Sequence, residues 1–119
     1  MIVSIVIALF FVFCTPSWLV AHAYLVKSLP AQRAVLHRAP SKIELWFNER
    51  LEPRYSSLSV LGDDGKAVPM EQSAVDPNNG KLLTATIKAL PAGRYRVEFR
   101  VLSVDGHVVQ DRFSFTIKP

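Results

Sequence analysis

Residues 94–101 read Arg-Tyr-Arg-Val-Glu-Phe-Arg-Val, with Tyr95, Val97, Phe99 and Val101 on one side and Arg94, Arg96, Glu98 and Arg100 on the other. A side-chain period of two belongs to an extended strand with one buried face, and a helix of 3.6 residues per turn cannot satisfy it. Weaker copies of the same pattern surround it. Ile43, Leu45 and Phe47 alternate with Glu44 and Trp46; Leu58 and Val60 recur in SSLSVL; Leu83, Ala85 and Ile87 alternate with Thr84 and Thr86; Phe113, Phe115 and Ile117 close the chain. Between these runs stand turn formers: Pro40, the Gly62–Gly65 stretch, Asp76–Gly80, and Pro91 with Gly93. Short strands at this spacing, each with one apolar face, predict an all-β sandwich.

A second local pattern refines the prediction. Leu90, Gly93 and Tyr95 stand in the Leu-x-x-Gly-x-Tyr order of the tyrosine corner found in immunoglobulin-like folds, where the phenol ties a loop to the start of a late strand.

Charge divides the chain in two. Residues 1–21, MIVSIVIALFFVFCTPSWLVA, contain no charged side chain, whereas all 14 Lys and Arg and all 10 Asp and Glu follow them. The apolar run from Ile2 to Cys14 is shorter than the roughly 20 residues a membrane-spanning helix needs, and small residues follow at Ala21 and Ala23. These features predict a cleaved signal peptide, with a retained anchor as the alternative, although no Lys or Arg precedes the apolar run. Cys14 is the only cysteine and would leave with the signal, so neither a disulfide nor a thiolate metal site is expected in the mature chain. The basic residues of the remainder are scattered and not interleaved with aromatics, which argues against nucleic acid as a partner.

The three histidines carry the functional argument. Cleavage after Ala21 would make His22 the first residue, and its α-amine and imidazole Nδ1 could then chelate one metal ion. Cleavage rules alone favour the site after Ala23, where Ala21 and Ala23 satisfy the small-x-small rule that Leu19 meets poorly for the other site, and that cut would remove His22. Asp105 and His107 lie two residues apart in SVDGH after a strand, and on an extended chain such residues share a side. His22, His107 and Asp105 together supply three nitrogens and one carboxylate, a set suited to tetragonal Cu(II), with Cu(II) also favoured over Zn(II) by the usual affinity order. An amino-terminal copper motif using backbone amides needs histidine third, where Tyr24 stands, and a thioether Cu(I) site needs clustered methionines, where the mature chain has Met70 alone. Glu49, at the end of the KIELWF strand, is either a further oxygen ligand, a supporting acceptor or a solvated charge. His37, in the proline-flanked LHRAPSK connection, reads as a surface histidine.

HAYLVKSLPAQRAVL, KIELWFNERLE, LPAGRY and VEFRVLSVDGHVVQDRFSFTIK together resemble the CopC family of periplasmic copper-resistance proteins, over essentially all of residues 22–118. The resemblance implies a Greek-key β-sandwich of seven to eight strands spanning residues 22–119, after a signal peptide of residues 1–21. It implies cleavage before His22, whose amine and imidazole would bind Cu(II) with the imidazole of His107 and a carboxylate from Asp105 close to the metal. Glu49 matches a glutamate near this site in some members. One Cu(II) per chain, a monomeric periplasmic carrier or buffer rather than an enzyme, and a separate CopD-like inner-membrane transporter as partner are its further implications. Two other readings of the residues stand beside it: an immunoglobulin-like structural or adhesion domain without metal, and a small histidine-brace copper oxygenase.

Overall fold

In the computed structural model, which describes residues 23–119, the alternating segment becomes the long strand on which the domain is organised. Eight strands appear in chain order: β1 (Leu25–Leu29), β2 (Val35–Leu36), β3 (Lys42–Phe47), β4 (Ser57–Gly62), β5 (Ala74–Asp76), β6 (Asn79–Thr86), β7 (Gly93–Leu102) and β8 (Val108–Ile117). One turn of 3-10 helix, Pro53–Tyr55, precedes β4. The strands form two four-stranded sheets, ordered β1-β3-β6-β5 and β2-β8-β7-β4. Every pairing is antiparallel except the short β2–β8 contact. The result is the immunoglobulin-like sandwich that the alternation and the tyrosine corner predict.

Each alternating run places its apolar set where the pattern says. Ile43, Leu45, Leu83, Val60, Val97 and Val101 are fully buried, and Phe47, Leu58, Ala85, Phe99, Phe113, Phe115 and Ile117 complete the core between the sheets. Aromatic pairs stitch the two layers and the β7–β8 ribbon. Phe47 meets Phe99 edge-on across the sheets at 5.4 Å between centroids, and Tyr95 stacks on Phe115 at 5.5 Å. Truncating Phe99 to alanine would remove about 3–5 kcal/mol, the usual cost of emptying an aromatic site in a packed core.

The tyrosine corner is present: the Tyr95 hydroxyl donates to the Pro91 carbonyl at 2.6 Å, and its ring is buried. Burial, with a smaller contribution from the charge of Asp64, raises the Tyr95 phenol above its ordinary pKa of 10.0, so it stays a donor throughout the physiological range.

The strands that simple alternation does not reveal are short or irregular. β1 carries a register shift between Leu25 and Lys27, β2 has two residues, and β5 has three before the Pro77–Asn78 turn. In that turn the Asp76 carboxylate accepts from the Asn78 backbone N–H at 2.7 Å, the local bond that makes aspartate a turn former. Among the described residues no helix is long and apolar enough to cross a membrane. The signal-peptide reading of residues 1–21, Cys14 and His22 fall outside the described residues.

Candidate metal centre

β7 and β8 are joined by five residues, Ser103 to His107, of which Ser103 and His107 close a three-residue turn of Val104, Asp105 and Gly106, and the geometry of this turn makes the site. The Ser103 N–H donates to the His107 carbonyl at 2.9 Å, and the Gly106 N–H donates to the Ser103 carbonyl at 2.9 Å. Gly106 has φ +94°. A tight turn closed by a left-handed residue is a common three-residue hairpin connection, and glycine is the residue that takes that φ without strain. An added Cβ at Gly106 would touch nothing within 4 Å, so the demand for glycine comes from the backbone.

The turn folds Asp105 and His107 back toward each other. His107 Nδ1 lies 3.1 Å from Asp105 Oδ1, with each side chain about one-third exposed. The two residues converge as the sequence predicts, but by a different geometry. They are not alternate residues of an extended strand; Asp105 sits in the turn and the left-handed Gly106 brings His107 round to it.

Beneath them lies Ser103, the most buried polar residue of the domain at 0% exposure. Its hydroxyl donates to Asp105 Oδ1 and accepts from the His107 backbone N–H at 3.3 Å. Sequence reasoning passed over Ser103, yet a signal was present. Tyr95, Val97, Phe99 and Val101 all point inward, so position 103 continues the buried register with a polar side chain.

Glu49 reaches the same place from the other sheet. After β3 the chain crosses to β7: the Val104 N–H donates to the Arg50 carbonyl at 3.0 Å, the Glu52 N–H donates to the Leu102 carbonyl at 2.8 Å, and Leu51 bridges Ser103. This backbone pairing brings the half-buried Glu49 side chain to Asp105. Hydrogen bonds from Ser103 first, then from His107, with a smaller one involving Glu49, hold the Asp105 carboxyl at about 2, down from 3.8, against a modest opposing effect of burial. Asp105 is therefore an anion at every physiological pH.

The beginning of the described chain is fixed beside this cluster. The Tyr24 N–H donates to Asn48 Oδ1 at 2.6 Å, the Asn48 N–H returns to the Tyr24 carbonyl at 3.2 Å, and Ala23 is buried at 2% exposure. Asn48 is the neighbour of Glu49. The structure thus gathers Asp105, His107 and Glu49, with the anchored Ala23–Tyr24 segment alongside. His37 is exposed just beyond β2, which pairs with the far end of β8. The ten residues of β8 put it roughly 30 Å from His107 along the strand, in agreement with its reading as a surface histidine.

Among the described residues, no group of three or more His, Cys, Asp or Glu side chains is arranged to hold a metal ion. The cluster offers one imidazole beside carboxylates and no thiolate, a nitrogen and oxygen set that suits a borderline divalent cation such as Cu(II) and needs at least one further donor.

An immunoglobulin-like sandwich with a histidine–carboxylate hairpin next to its anchored amino-terminal segment defines a class of small all-β domains. The chain belongs to the CopC family: residues 25–118 match the CopC domain. It is 35% identical over 114 residues to the copper transport protein CutJ of Bacillus subtilis, a match covering 95% of this chain and 21% of CutJ. It is 36% identical over 108 residues to copper resistance protein C of Escherichia coli, covering 82% of each. The crystal structure of CopC from Methylosinus trichosporium OB3b superimposes with a TM-score of 0.77 at 37% identity, covering 82% of this chain and 95% of that one. The chain thus spans about a fifth of CutJ but most of the length of the other two.

Proposed function

We propose that this protein is a periplasmic copper carrier or buffer that binds one Cu(II) at the cluster around His107. The observation that carries the reading is the convergence, from three separate parts of the chain, of the Asp105–His107 hairpin, Glu49 and the anchored Ala23–Tyr24 segment. Copper resistance protein C and CutJ, named for copper resistance and copper transport, supply the metal.

In this reading residues 1–21 are removed as a signal peptide, and His22 becomes the first residue of the mature domain. His22 precedes the anchored Ala23 in sequence, and this reading assigns its amine and imidazole to the metal as the further donors the cluster needs. His107 contributes the second imidazole. Its Nδ1 faces Asp105, so Nε2 is the nitrogen for the metal, and the carboxylate orients the ring in the manner of a carboxylate–histidine–metal triad. Asp105 also sets a negative charge beside the cation, and Glu49 supports that carboxylate. A copper ion bound there is cargo, held by nitrogen and oxygen donors that must be deprotonated, so binding weakens in acid. Delivery to a CopD-like membrane transporter is the step that would follow, and the monomer is the carrying species.

Native mass spectrometry of protein exported to the periplasm, with and without one equivalent of Cu(II), tests the whole reading. A chain beginning at His22 that takes up one copper is the expected result. A chain beginning at Tyr24, or one beginning at His22 that binds no copper, would sink it.

A further inference from the structure

The first strand begins where a chain would ordinarily fray. β1 is the outer strand of its sheet, and its ladder with β3 carries a register shift between Leu25 and Lys27, so the Leu25–Phe47 pair stands apart from the regular part of the ladder. Side-chain packing adds little here, since Tyr24 and Val26 are each 61% exposed. In the mature chain of the proposed function this stretch is the amino terminus, and the first residues of a domain are poorly ordered unless something ties them down.

Asn48 ties them down. Its N–H donates to the Tyr24 carbonyl at 3.2 Å, carrying the β1–β3 ladder one step past Phe47, and its side-chain Oδ1 accepts from the Tyr24 N–H at 2.6 Å. One residue thus satisfies both backbone groups of Tyr24. The side-chain oxygen stands in for the main-chain carbonyl that a longer β3 would offer. The main chain is thereby free to turn away at Asn48 and take Glu49 and Arg50 toward the β7–β8 turn, where the Val104 N–H donates to the Arg50 carbonyl at 3.0 Å.

Two ordinary reasons for an asparagine do not cover this one. A turn asparagine or aspartate bonds the backbone two residues on, as Asp76 does with Asn78, whereas the Asn48–Tyr24 bond spans 24 positions of sequence. Burial does not demand the bond either. It lies at the exposed surface, where water would satisfy the same groups.

We propose that Asn48 is a positioning residue for the metal site, fixing Tyr24 so that His22, the first residue of the mature chain, is presented to the Asp105–His107 pair. This deepens the copper reading above and rests on it; Asn48 itself makes no contact with the metal. The path from the clamp to the cluster is short: Tyr24 bonds Asn48, Glu49 is the next residue, and the Glu49 side chain hydrogen-bonds with Asp105. Ordering the chain before the ion arrives removes that cost from the binding step, which is how preorganisation raises affinity.

The experiment compares the mature protein with Asn48→Ala, Asn48→Asp and Ser73→Ala. Ser73 Oγ accepts from the Leu58 N–H at 3.1 Å, so its loss removes a bond of the same kind from β4 instead of β1. Amide hydrogen exchange at Tyr24 is read in the metal-free proteins, and Cu(II) affinity by competition with a chelator. Electron paramagnetic resonance of the one-copper proteins reports the ligand arrangement. Asn48→Ala is expected to lose the protection of the Tyr24 amide and to weaken Cu(II) by about 10–100-fold, the range for residues that orient ligands. Its spectrum should show a mixture of copper species where the parent shows one. Asn48→Asp, which keeps the acceptor oxygen, should restore protection, affinity and the single species, and Ser73→Ala should match the parent throughout. Parent-like affinity and spectrum in Asn48→Ala would overturn the proposal and leave the copper reading standing. An equal loss of affinity in Ser73→Ala, or no recovery in Asn48→Asp, would overturn it too. A parent chain that begins at His22 and binds no copper would overturn the copper reading and the proposal together.

Discussion

β7 is held at its first residues by the buried Tyr95 phenol and its bond to Pro91, whereas at its last it runs into Ser103, Asp105 and His107, where polar groups gather and remain partly open to water. The first end is an apolar anchor: the ring stacks on Phe115, and one satisfied hydrogen bond fixes the loop. The second brings the side chains of Glu49 and Asp105 together beside an imidazole, where hydrogen bonds from Ser103 first, then His107, with a smaller one involving Glu49, favour the charged Asp105 carboxylate. The contrast teaches that a rigid ten-residue ribbon carries order from an end built for stability to an end built for binding.

The largest expected effect separates these two ends directly. His107→Ala should lower Cu(II) affinity by more than about 100-fold, beyond the 10–100-fold typical of a supporting partner, with thermal stability of the metal-free protein nearly unchanged. Tyr95→Phe should do the reverse, costing about 1 kcal/mol for the lost hydrogen bond and leaving copper affinity intact. For a domain of this size that corresponds to a melting point lower by about 4–8 °C. Competition titration with a copper chelator and calorimetry of both variants measure the two effects. If Tyr95→Phe weakened copper as much as His107→Ala, the two ends could not be assigned separate tasks.

Ser103→Ala sharpens the comparison, because Ser103 belongs structurally to the core and chemically to the site. Its loss leaves Asp105 and the His107 N–H without their buried partner, a stability cost of about 1–3 kcal/mol. Copper affinity should fall by about 10–100-fold, the range for residues that orient ligands. Ser103→Thr, which keeps the hydroxyl, should recover part of the affinity. Loss of stability with unchanged affinity would make Ser103 a core residue only.

The sequence carried the two ends unequally. The inward side of β7 and β8 was legible because long antiparallel strands with one dry face must alternate, and the corner was legible because Gly93 and Tyr95 stand at fixed offsets. β1, β2 and β5 were not, since a register shift or a length of two or three residues leaves no period to read. At the site, Asp105 and His107 could be named from their spacing, although the cause of their convergence is the positive φ of Gly106, not strand alternation. Glu49 remained ambiguous because its approach to Asp105 depends on the pairing of residues 50–52 with 102–104, a contact across about 50 positions of sequence. Ser103 was hidden for the opposite reason: the pattern marked its position as buried, and serine is an unremarkable residue in a loop.

The smallest effect expected is the response of the metal-free fold to acid. Asp105 titrates at about 2 in the folded protein, below the ordinary 3.8, chiefly through the Ser103 hydroxyl and then His107. A folded-state pKa that is depressed means that the unfolded chain binds the proton more readily, so this group stabilises the fold above about pH 4. That contribution declines as pH falls through the interval from 3.8 to about 2. Because the carboxylate is partly exposed, solvent screens the interaction and the change is modest. Asp105→Asn should flatten the stability profile in that interval, measured by urea unfolding at successive pH values, while Asp76→Asn, in the distant β5–β6 turn, should leave the slope assigned to Asp105 in place. An Asp105→Asn profile as steep as that of the parent protein would mean that the Ser103–His107 turn does not favour the charged carboxylate, and the binding end of β7 would then lack the held negative charge that distinguishes it from the corner.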